Sequence, residues 1–209
     1  QFQGYNFSFT EPWLGGKKPN SFTISLYKSI SSNGQDGDDR QAIEITGVSL
    51  GIGKKLQFPD DYFSLYHGIS FQQYKLINNE SFFSFSNGYS NNVNYTIKLG
   101  RNSVDQLIYP RRGSNFSLSL KVTPPYSMFD GVDDYSTISD QEKYSWIEYY
   151  KWKFNSSWFS AFTDKLVLNT RIEMGLLGAY DNGLGVAPFE RFYVGGDGMS
   201  GMGYQFDGR

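Results

Sequence analysis

Apolar and polar side chains alternate through most of this chain with a period of two. Residues 115–122 show it most clearly, with Phe116, Leu118, Leu120 and Val122 on one parity and Asn115, Ser117, Ser119 and Lys121 on the other. Successive side chains of an extended strand point to opposite faces, so such a segment has one apolar face and one wet face. Eight stretches carry the pattern, at about 3–10, 20–31, 41–52, 62–77, 91–101, 115–122, 149–159 and 165–180. No stretch of comparable length shows the helical period. In 41–52 the apolar parity switches, from Ile43 and Ile45 to Val48, Leu50 and Ile52, and Gly47 sits at the switch, where the sequence predicts a bulge.

The pattern predicts an all-β, antiparallel fold of about eight strands. A sandwich also alternates, but several of these segments reach or exceed 11 residues, whereas a usual strand has about 5–6. Longer strands with an apolar outer face and a polar inner one point to a transmembrane β-barrel. Connection lengths support that reading. Long connections at 32–40, 78–88, 123–144 and from 181 onward alternate with the others, as expected when loops outside the membrane are longer than turns on its inner side.

Aromatic residues make up 18% of the chain. Trp13, Tyr62, Trp146, Tyr149, Tyr150, Trp158 and Tyr180 fall near strand ends, where an interfacial aromatic belt is expected. No apolar run approaches the roughly 18 residues of a membrane-spanning helix. The absence of cysteine excludes disulfide staples, thiol catalysis and cysteine-based zinc sites. A formal charge of −2 argues against nucleic acid as a partner.

Residues that could carry covalent chemistry are sparse. His67, the sole histidine, shares the parity of Leu65, Ile69 and Phe71 and reads as a residue of the barrel face rather than a base. The clusters Asp36, Asp38, Asp39 and Asp130, Asp133, Asp134 lack the spacing of a calcium loop and read as solvated loop carboxylates. No enzymatic activity, cofactor or metal is expected. Arg171 and Glu173 share the polar parity of the eighth strand, two residues apart, and point inward as an ion pair or as a contact for a loop.

The run Pro188-Phe189-Glu190-Arg191-Phe192-Tyr193-Val194-Gly195-Gly196-Asp197-Gly198-Met199-Ser200-Gly201 resembles the base of the long extracellular loop that folds into the barrel of BamA-type outer-membrane protein insertases. Thr10-Glu11-Pro12-Trp13-Leu14 is similar to the end of an early strand in that family, and Ile108-Tyr109-Pro110-Arg111-Arg112-Gly113-Ser114 to its aromatic-Pro turn. The Gly-Gly-Asp-Gly-Met-Ser-Gly wording looks like the form found in Bacteroidota.

Several expectations follow from the resemblance. Residues 1–209 would be part of a larger barrel of about sixteen strands, ending within the infolded loop at about 181–209, with the POTRA domains outside these residues. The family's loop-tip Arg-Gly motif is not found in 199–209. The implied role is folding and inserting β-barrel proteins into the bacterial outer membrane, with nascent barrel clients, outer-membrane lipids and accessory assembly lipoproteins or other outer-membrane subunits as partners. Pro188, Phe189, Arg191, Phe192, Tyr193, Gly195 and Gly196 would form the loop base, and Arg171 and Glu173 would help hold it. The alternatives are a passive porin or substrate-binding barrel, a related protein-export barrel, and a lipid-active enzyme that would depend on His67.

Overall fold

A computed structural model describes residues 1–16, 20–79, 85–132, 135–181, 183–186 and 190–194, and the backbone of 204–205. Its main element is one antiparallel sheet of eight strands in chain order: β1 (Phe2–Glu11), β2 (Asn20–Ser32), β3 (Ala42–Lys55), β4 (Phe63–Ile77), β5 (Gly88–Asn102), β6 (Gly113–Val122), β7 (Tyr150–Ala161) and β8 (Val167–Gly178). Every strand pairs with its neighbours in sequence. The sheet is open, its outer strands being β1 and β8. A two-residue strand, β9 (Tyr193–Val194), pairs with β10 (Tyr204–Gln205).

The register converts the period-two pattern into continuous rows. Phe7, Leu26, Val48, Phe71 and Val93 are directly paired across β1 to β5. Ile97, Leu120, Trp152 and Leu176 continue the same face across β5 to β8. The opposite face carries the row Ser8, Ser25, Ser49, Ser70 and Asn94, where Ser8 and Ser25 hydroxyls meet at 3.0 Å and Ser70 Oγ donates to Asn94 Oδ1 at 2.8 Å. A single slip in pairing would exchange these faces along a whole strand, which fixes the register wherever the two environments differ.

The bulge expected at Gly47 does not form. The pairing runs without interruption through Ile45↔Tyr74, Thr46↔Gln73, Gly47↔Gln72 and Val48↔Phe71. Ile45 instead faces the polar side, where it packs on a small apolar cluster of Tyr74, Ile147 and Tyr149. Glycine is needed at 47 because the Tyr27 ring lies against the strand there, and a Cβ would collide with it.

Ile147 and Tyr149 of that cluster come from the longest connection, 123–149, which folds over the polar face onto Tyr74 of β4. The last turn of the connection is anchored by Asn91, whose backbone accepts from Ile147 N at 2.8 Å and donates to Ser145 O at 2.8 Å. Glu148 is buried with its carboxylate accepting from Ser127 N and Oγ, both at 2.9 Å. Of the aromatic residues assigned to strand ends, Trp13, Tyr62 and Trp158 are exposed at the short-connection end. Tyr149 is not in the belt, being fully buried on the polar face.

Candidate functional site on the polar face

Lys121 and Lys151 are direct cross-strand partners on the polar face of β6 and β7. Two like charges in that position repel each other and destabilise the pairing unless a counter-charge is supplied. Glu190, only 8% exposed, supplies it from the segment after β8. Its Oε1 accepts from Lys121 Nζ at 2.9 Å and its Oε2 from Lys151 Nζ at 3.2 Å. Lys151 Nζ also donates to the Glu190 backbone carbonyl at 2.6 Å, and the Tyr149 hydroxyl donates to Oε1 at 3.0 Å.

Burial pushes the Glu190 carboxyl upward, but the two ammonium groups and the Tyr149 hydroxyl outweigh it and hold the group below the ordinary glutamate value. Burial and the adjacent Glu190 charge push the Tyr149 phenol up, so it remains a donor. A buried charge compensated in this way is costly to uncouple, because removing one partner strands the other away from water.

The polar network extends further along the wall. Asn92 Nδ2 donates to the Tyr149 oxygen at 3.3 Å and Asn94 Nδ2 to Asn92 Oδ1 at 3.4 Å. Gln72 bridges the hydroxyls of Tyr27 and Tyr74, donating to the first and accepting from the second. Glu190 therefore joins a hydrogen-bonded band that crosses β2, β4, β5, β6 and β7.

Phe192 adds an apolar contact. Its ring lies over Gly175 of β8, where a Cβ would overlap it, and Lys151 Nζ stands 4.6 Å from the ring centroid. Upstream, the Tyr144 hydroxyl donates to Leu184 O at 3.2 Å and that of Tyr180 to Thr123 O at 3.1 Å. The segment following β8 is thus tied to the polar wall and to the 123–149 connection.

Of the expected loop-base residues, Phe192 makes the contact above. Arg191 is half-buried, and its charge partly offsets the burial and the Asp140 charge that together push the Tyr144 phenol up. Tyr193 takes part through its backbone in β9. Pro188, Phe189, Gly195 and Gly196 lie outside the described residues. Arg171 and Glu173 share the polar face and form an ion pair with each other. Phe192 docks at Gly175, on the same face as that pair but farther along the strand. The sequence reading assigns Lys121, Lys151 and Glu190 no site role of their own and places Tyr149 in the aromatic belt. The signal for them is two inward lysines that become cross-strand partners once β6 and β7 are aligned.

The other candidates are placed as follows. His67 Nδ1 and the Tyr95 hydroxyl are 2.6 Å apart on the apolar face. Asp38 and Asp39 sit in a single 3-10 turn. Asp130 accepts from Val132 N at 3.0 Å and from the Tyr135 hydroxyl at 2.7 Å. Asp133 and Asp134 lie outside the described residues.

Comparison with known proteins is consistent with this architecture. The crystal structure of BamA from Haemophilus ducreyi lacking POTRA domains 1–3 matches with a TM-score of 0.66 at 17% sequence identity, over 94% of this chain and 37% of that one. The chain thus spans a little over a third of that relative's length. No curated protein matches it in sequence. The Omp85 superfamily domain matches residues 1–208, and the chain belongs to that superfamily.

Proposed function

We propose that these residues form one wall of the transmembrane barrel of an outer-membrane protein assembly machine, which folds β-barrel clients and inserts them into the bacterial outer membrane. The observation that carries this reading is the clasp of Glu190 on Lys121 and Lys151. It seats the chain's own segment against the polar face, so the lumen side is occupied where a passive porin would leave a water-filled channel. Superfamily membership over residues 1–208 supports the same assignment.

The work such a wall performs is non-covalent. Client strands can join a sheet edge by backbone hydrogen bonding, which keeps their polar groups satisfied in lipid. The strands described here serve as the scaffold against which the loop base is held, and nascent barrel proteins, outer-membrane lipids and accessory lipoproteins are the partners of the complete machine. The test is reconstitution of the full-length protein in lipid vesicles. Faster folding of an added β-barrel client, lost in a Glu190→Lys variant that still inserts, supports assembly. Solute-selective conductance with no effect on client folding overturns it in favour of a porin.

A further inference from the structure

Two adjacent turns at the short-connection end hold a group of apolar side chains in the open. In the β5–β6 turn, Leu107 is 95% exposed, Ile108 73% and Tyr109 87%. The turn is built to present them. Asp105 Oδ1 accepts from the backbone of Arg111 at 3.0 Å and of Arg112 at 3.2 Å, and Asp105 N donates to Arg112 O at 3.1 Å, closing the loop below its apex. Tyr109 occupies the left-handed region at φ 55°, which is unfavourable for a bulky side chain.

Arg111 then ties this apex to the β7–β8 turn. Its Nη2 donates to Thr163 O at 3.2 Å and lies 3.6 Å from Asp164 Oδ1. That second turn exposes Phe162 and Leu166. The two residues face each other through the hydrogen bond from Phe162 N to Leu166 O at 3.0 Å. They are in phase with Trp158 and Leu168, so they prolong the apolar face beyond the strand ends. Arg112 and Lys165 are exposed beside this group and take part in no ion pair among the described residues.

We propose that the linked turns form a phospholipid anchor, with Leu107, Ile108, Tyr109, Phe162 and Leu166 entering the headgroup–acyl boundary and Arg112 and Lys165 binding anionic headgroup phosphates. This rests on the transmembrane reading given above. Continuity of Phe162 and Leu166 with the apolar rows selects lipid as the occupant, because on the transmembrane reading those rows meet acyl chains. The flanking cations match it, since aromatic and aliphatic side chains next to Lys and Arg are the composition of a membrane-interface anchor. The anchor would fix the height of these turns in the bilayer.

The test uses a single environment-sensitive fluorophore on Leu107→Cys in the full-length protein, the residues here contributing no competing thiol. The protein is reconstituted in phosphatidylethanolamine–phosphatidylglycerol vesicles containing lipids with doxyl quenchers near the headgroup or near the chain end. A second label, on Leu50→Cys in the apolar face, reports on the barrel itself. The expected result is quenching at 107 by the headgroup-side doxyl and at 50 by the deeper one. Quenching at 107 should fall about twofold in phosphatidylcholine alone and in Arg112→Gln/Lys165→Gln. A label at 107 that stays water-exposed, or is shielded from water yet unquenched by any lipid, overturns the anchor. If 50 remains quenched in that case, the transmembrane reading stands without it. Failure at both positions removes both.

Discussion

The ring of Phe192 rests on the backbone of Gly175, in space that a β-carbon at 175 would occupy. This contact joins the segment after β8 to β8 itself, beside the ionic contact that joins it to β6 and β7. Gly175→Ala is expected to displace the ring and weaken docking by about 1–3 kcal/mol, the usual cost of overpacking. Phe192→Ala removes the clash, so the double variant should be less destabilised than the sum of the two. Trypsin cleavage after Arg191, followed by mass spectrometry, measures the docked fraction, and additive effects would rule the contact out.

Glu190→Gln leaves two lysines side by side with no carboxylate between them. The expected loss is about 3 kcal/mol of local docking energy, as for other half-broken buried pairs. Cleavage after Arg191 should then accelerate on the order of a hundredfold. A change below threefold would show that the segment is held by something other than this charge.

The clasp has a defined pH window. Because the Glu190 carboxyl is held below its ordinary value when docked, its contribution is complete above the ordinary glutamate range and is lost as pH falls through the depressed value. A spin label on Arg191→Cys should remain immobile from neutral pH down to about pH 5 and become mobile only below about pH 4. In a Glu190→Gln background it should be mobile throughout. Release at pH 6 in the parent protein would contradict the assignment.

Glu173 provides the contrast. It is paired with Arg171 and half exposed, so the pair is screened by solvent. Glu173→Gln is expected to change cleavage after Arg191 by less than about threefold. A loss matching that of Glu190→Gln would return Arg171 and Glu173 to the role of loop holders.

His67 and Tyr95 satisfy each other on the apolar face. His67→Phe is expected to leave client folding unchanged in reconstituted vesicles. A lipase-type activity that disappeared with this substitution would instead support a lipid-active enzyme.

The strands and their order were legible because alternation over ten or more residues, as in β1 and β6, has no other common physical origin. The misreadings arose where a connection forms a second layer over the polar face. Ile45 and Tyr149 are apolar on the inward side because the 123–149 connection packs there, and periodicity along a strand cannot report what a distant loop brings to it. The clasp was hidden for a similar reason. Glu190 lies 69 residues from Lys121 and 39 from Lys151, and the two lysines become neighbours only through the β6–β7 register. The Arg171–Glu173 pair, local in sequence, was visible for the same reason that it has little to hold but itself.

The lysine clasp also ties the docking of the segment after β8 to the register of two strands. Every strand of the sheet pairs with its neighbour in sequence. If β7 slipped by one position against β6, Lys151 would turn to the apolar face and its carboxylate partner would have one ammonium in place of two. Glu190 follows β8 in sequence, and its carboxylate reaches both ammonium groups because the two lysines stand opposite each other. The full contact is therefore available to a single alignment of β6 with β7.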